Sequence, residues 1–80
     1  MPQSTHSPRY IKLLSILSDA RKTAGVSQAA LAERLDCLQT FVSKYERGER
    51  RLDIIEFLDV AHALNLDPCK VIQQLEKSSG

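Results

Sequence analysis

The sequence predicts an all-α fold, a compact bundle of five short helices, on three observations. Apolar residues recur at three- and four-residue spacings along most of the chain, the period of an amphipathic helix rather than the alternation of a strand. Residues that open helices (Ser, Asp, Pro) precede the apolar stripes, and residues that accept a left-handed backbone (Gly, Asp, Asn) tend to follow them. Eighty residues make one domain with one core, near the lower limit for folding without staples.

The first helix is expected to open with Ser7 as N-cap and Pro8 at the first helical position, where a missing N–H costs nothing. Tyr10, Leu13, Leu14, Leu17 and Ala24 form its apolar stripe, and Gly25 stops it. Ser27 caps a short second helix, residues 28–35, whose inner face is Leu31, Ala32 and Leu35. Asp36 follows at a tight turn, and a third helix runs over residues 38–47 with Val42 and Tyr45 facing inward and Gly48 at its end. Asp53 with Glu56 three residues on reads as a capping box for a fourth helix. That helix carries Ile54, Phe57, Leu58, Ala61 and Leu64 on one face, and Asn65 stops it. Asp67 and Pro68 start a fifth, with Val71, Ile72 and Leu75 facing the core. The folded part is expected to span residues 8–76, between a disordered arm (1–7) and a disordered tail (77–80).

Several function classes drop out on composition. No apolar run approaches the roughly 18 residues that span a bilayer, and the polar start lacks the layout of a signal peptide. Two cysteines, Cys37 and Cys69, are too few for a disulfide scaffold and lack a metal-binding spacing with His6 or His62. No Ser/His/Asp set or paired carboxylates suggests catalysis, so the chain is read as a non-enzyme without metal or cofactor, acting in the cytoplasm at the nucleoid. The net charge of +1 is uninformative, but its distribution is polarised. Residues 34–51 carry five Arg or Lys, whereas residues 52–67 carry four acids and no Lys or Arg. One face could therefore meet phosphates.

The informative segment is residues 27–48: two short helices separated by a tight turn, the second ending in Glu46-Arg47-Gly48. Here the chain resembles the lambda-repressor-like family, the Cro/C1 or Xre type of helix-turn-helix regulators. The match is carried by Val26-Ser27-Gln28-Ala29-Ala30-Leu31-Ala32-Glu33-Arg34-Leu35, by Val42-Ser43-Lys44-Tyr45-Glu46-Arg47-Gly48-Glu49-Arg50, and by Val60-Ala61-His62-Ala63-Leu64-Asn65-Leu66-Asp67-Pro68. The resemblance implies a DNA-binding domain with its helix-turn-helix in helices two and three, the third helix lying in the major groove. Gln39, Thr40, Ser43 and Lys44 match the positions that meet base edges, and their chemistry suits adenine, guanine and thymine. Ser27 and Gln28, at a helix N-terminus, match phosphate-contacting positions. Arg47, Arg50 and Arg51 look like further phosphate contacts, Arg47 being equally able to pair with Glu46 or Glu49.

Departures from the family pattern are informative. Asp36 stands where glycine is usual, Leu38 where a capping Ser or Thr is usual, and Phe41 where a small or polar residue is usual. Leu38 and Phe41 are expected to share a face, where one touches DNA or a partner; the competing reading folds Phe41 back as extra core. Cys37 is expected to be buried beneath the turn. The implied function is a repressor that binds a palindromic operator as a homodimer through the fourth and fifth helices. Two alternatives stay open: an antitoxin or adaptor module on the same fold, and the DNA-binding part of a longer regulator.

Overall fold

A computed structural model describes residues 7–77, and the segments 1–6 and 78–80, which hold nearly all of the expected arm and tail, lie outside the described residues. The described residues form α1 (Pro8–Thr23), α2 (Gln28–Leu35), α3 (Gln39–Glu46), α4 (Ile54–Ala63) and α5 (Pro68–Lys77). The last helix therefore includes Lys77, one residue beyond the expected boundary.

The turn chemistry explains these bounds. Ser7 Oγ accepts from the Tyr10 N–H at 3.1 Å and Ser27 Oγ from Ala30 at 3.0 Å, each satisfying a donor that the helix cannot. Gly25 takes φ 72, which lets the Val26 N–H fold back onto the Arg21 carbonyl at 3.1 Å. Asp36 (φ 56) and Asn65 (φ 59) play the same part for α2 and α4 without being glycine. The capping box of α4 is complete: Asp53 Oδ1 accepts from the Glu56 N–H at 2.7 Å, and Glu56 Oε1 accepts from the Asp53 N–H at 2.9 Å. Asp67 Oδ1 accepts from Cys69 at the start of α5, at 3.0 Å.

Four helices meet at the centre through Leu17, Leu31, Val42, Tyr45 and Val60, all fully buried, and Val71 closes the bundle from α5. The short α2 packs on α3 and α4, while the long α1 lies against α3 and α5. Three expected core positions differ. Ile54 is 60% exposed in the first turn of α4, and the buried stripe is Phe57, Val60, Ala61 and Leu64 instead. Ile72 on α5 is 40% exposed, and Ala24, past the end of α1, is exposed.

Candidate nucleic-acid interface

The pair α2 and α3 is held as one unit by a buried charge on α1, Arg21. Arg21 lies on the buried side of α1, seven residues after Leu14 and four after Leu17. A guanidinium there needs full compensation, since an unpaired buried charge is very costly. It donates from Nε to Glu46 Oε2 at 2.7 Å, from Nη2 to Glu46 Oε1 at 3.1 Å, and from Nη1 to the Val26 carbonyl at 2.8 Å. The Glu46 side chain is equally sequestered, and it takes a third hydrogen bond, from Gln28 Nε2 at 2.9 Å. One ion pair between α1 and the end of α3 thus also holds the turn before α2, through Arg21, and the first side chain of α2, through Glu46. Glu46 therefore belongs to Arg21, and Arg47 pairs with Glu49 across 2.9 Å at the surface. The signal for Arg21 was present: a charge in step with Leu14 and Leu17.

α3 divides cleanly into two faces. Val42 and Tyr45 are wholly buried. Gln39, Thr40 and Lys44 are exposed, with Ser43 half-buried at the boundary. The Tyr45 hydroxyl is buried and has no hydrogen-bond partner among the described residues, and burial pushes its pKa well above the ordinary tyrosine value. Ser27 is exposed, and its hydroxyl caps α2 while its own proton stays available; Gln28 is half-buried and tethered to Glu46.

The segment after α3 is pinned to three elements. Arg50 donates to both Glu56 oxygens at 2.8 and 2.7 Å and to the Arg51 carbonyl at 2.9 Å, and its guanidinium lies 4.8 Å from the centre of the Phe41 ring. The Arg50 hydrogen bonds, and then the Asp53 backbone N–H, hold the Glu56 carboxyl below the ordinary carboxylate range. Arg51 stacks over Tyr10 at 4.7 Å, and the Tyr10 hydroxyl accepts from the Leu52 N–H at 3.0 Å. Two of the three arginines expected at phosphates are therefore engaged with carboxylates, Arg47 loosely and Arg50 in a bidentate pair.

The structure separates Leu38 from Phe41. Phe41 packs against the core, its ring 5.5 Å from that of Tyr45, whereas Leu38 is 77% exposed. Cys37 is also exposed, contrary to expectation: its N–H closes the α2 terminus on the Ala32 carbonyl at 3.0 Å, in a turn that stays at the surface. A second surface feature lies apart from α3. It is a shallow apolar groove lined chiefly by Leu13, Leu52, Ile54, Phe57, Ile72 and Leu75, where α1, α4 and α5 converge.

Comparison with known proteins agrees with this geometry. A helix-turn-helix family model matches residues 17–71, from the middle of α1 into α5. A solved structure described as an XRE-family like protein from Pseudomonas syringae pv. tomato str. DC3000 superposes with a TM-score of 0.85 at 48% identity, over 89% of this chain and 87% of that one. No curated protein matches. With the family model covering more than half of the chain and that relative aligned over nearly its whole length, the chain belongs to the XRE-type (Cro/C1-type) helix-turn-helix family of DNA-binding transcription regulators.

Proposed function

We propose that the protein is a sequence-specific repressor that docks α3 in the major groove of duplex DNA. The observation that carries this reading is the division of α3: a buried face that fixes its orientation, and a solvent face of Gln39, Thr40, Lys44 and the edge of Ser43. These groups offer what base edges need. A glutamine amide pairs with adenine in a bidentate way, a lysine donates to guanine, and hydroxyls donate to several acceptors. Ser27 and Gln28 open α2 with N–H groups and a positive dipole end toward a phosphate. Arg47, Arg50 and Arg51 supply positive charge on the segment that follows. An exposed ion pair such as Arg47–Glu49 contributes little, so a phosphate competes for it at small cost. Arg50, gripped by Glu56, is the least available of the three.

The exposed Ile54 and Ile72 beside the apolar groove support assembly through α4 and α5. A two-fold dimer on that face presents two copies of α3 to a palindromic operator, with half-sites about 34 Å apart. The protein acts on chromosomal DNA in the cytoplasm.

Selection from a random duplex pool tests the reading. The protein should enrich a palindrome, and a Gln39→Ala/Lys44→Ala variant with unchanged melting temperature should enrich none. Equal enrichment by the variant removes α3 as the reader, and no enrichment by either protein removes the DNA-reading function.

A further inference from the structure

Leu38 is the most exposed large apolar side chain of the described residues, and it stands where α3 begins, next to the exposed Gln39 and Thr40. Both ordinary roles of a residue at this place are unfilled. It is the N-cap of α3, but it makes no side-chain hydrogen bond to the first turn, whereas Ser27 and Asp53 cap α2 and α4 in that way. It also does not join the core, which takes Phe41 from the next turn instead. The residue thus forgoes a cap and leaves apolar area in water, two losses that a serine would avoid together. Natural proteins break local rules of this kind chiefly at functional or strained sites, and the N-cap backbone of Leu38 is ordinary extended chain (φ −78, ψ 148).

We propose that Leu38 is a specificity-determining residue of the DNA-reading surface, making an apolar contact with the 5-methyl group of a thymine. This rests on the DNA-reading function proposed above. The major-groove edge of a base pair carries one apolar group, the thymine methyl, and an aliphatic side chain recognises it without a hydrogen bond. Leu38 immediately precedes Gln39 on the same helix end, so the methyl belongs to a base pair at or next to the one Gln39 reads. Phe41 has no part in this contact, because its ring is taken up by Tyr45 and Arg50.

Deoxyuridine provides the test, since it differs from thymidine in DNA only by that methyl. In the duplex enriched by the wild-type chain, each thymine is replaced singly by uracil, and binding is measured for the wild type and for Leu38→Ser. Burial of one methyl changes affinity about fourfold. The wild type should therefore weaken by about that factor at one thymine of the half-site, and Leu38→Ser should bind the two duplexes equally. Leu38→Ser should also melt higher, by about 4–8 °C, because a serine at this N-cap supplies the missing hydrogen bond, which shows that the variant is folded. A wild type indifferent to every replacement overturns the proposal, as does a Leu38→Ser protein with unchanged uracil sensitivity; either leaves Leu38 to a protein contact. A wild type that enriches no duplex overturns the DNA-reading function and this contact with it, so the two failures are distinct.

Discussion

Replacing Arg21 by Met should be among the most damaging single changes in this chain. Methionine keeps the unbranched stem that packs within the bundle but removes every donor. Glu46, whose side chain is only 8% exposed, is then left with the single hydrogen bond from Gln28, and the Val26 carbonyl loses its arginine partner. Removing one member of a buried ion pair costs about 3–5 kcal/mol, because the remaining charge stays desolvated. A chain of this length has a total stability of only about 4–12 kcal/mol, from roughly 0.05–0.15 kcal/mol per residue. At about 4–8 °C per kcal/mol for a domain this small, the melting temperature should fall by at least ~12 °C. Urea unfolding followed by far-ultraviolet circular dichroism measures the loss, and a double-mutant cycle isolates its origin. Glu46→Leu alone should also destabilise, while Arg21→Met/Glu46→Leu should recover at least about 2 kcal/mol relative to the sum of the singles. A loss below about 1 kcal/mol for Arg21→Met, or strict additivity in the cycle, would refute the argument that this pair is buried and mutually dependent.

Three further outcomes follow from particular groups. Tyr45→Phe removes a buried hydroxyl that has no partner among the described residues, so it should be neutral or stabilising by up to about 1 kcal/mol; a larger loss means that the hydroxyl is bonded. Glu56 has a lowered folded pKa, so its contribution is present in full above the ordinary value of 4.5 and is lost as the pH falls through the lowered one. The stability gap between wild type and Glu56→Gln should thus be widest near pH 7 and close at low pH; a gap unchanged by acid would contradict the Arg50 pairing. On DNA, Arg51→Gln should reduce the slope of log affinity against log salt by about 0.9, the share of one phosphate contact; an unchanged slope would leave Tyr10 as the partner of Arg51 and remove it from the DNA surface.

Local chemistry made much of the architecture readable in advance. Ser7, Ser27 and the Asp53/Glu56 box mark helix starts because their hydrogen bonds close within three residues. The outward face of α3 follows in the same way, since burying Val42 and Tyr45 on a 3.6-residue period turns Gln39, Thr40 and Lys44 outward. What depended on distant parts of the chain was hidden. Arg21 on an apolar stripe announces a partner, but Glu46, twenty-five residues on, becomes that partner only when α1 and α3 are packed. The grip of Glu56 on Arg50, and the outward turn of Cys37, likewise depend on how the segments after α3 and before it cross the surface. Ile54 fits the helical period of α4, but a period does not say how much of a first turn the other helices cover.

The two-faced construction of α3 has an evolutionary consequence. Substitutions at exposed helix positions usually shift stability by no more than about 0.5 kcal/mol. If α3 reads DNA as proposed, a duplicated copy of such a protein can therefore drift toward a new target by exchanges at Gln39, Thr40 or Lys44 without passing through an unfolded ancestor. Ser43 is the exception, because its half-buried side chain lies where the two faces meet. Changes there must satisfy the fold and the target at once, so Ser43 should diverge more slowly than its neighbours among descendants that have parted in sequence preference.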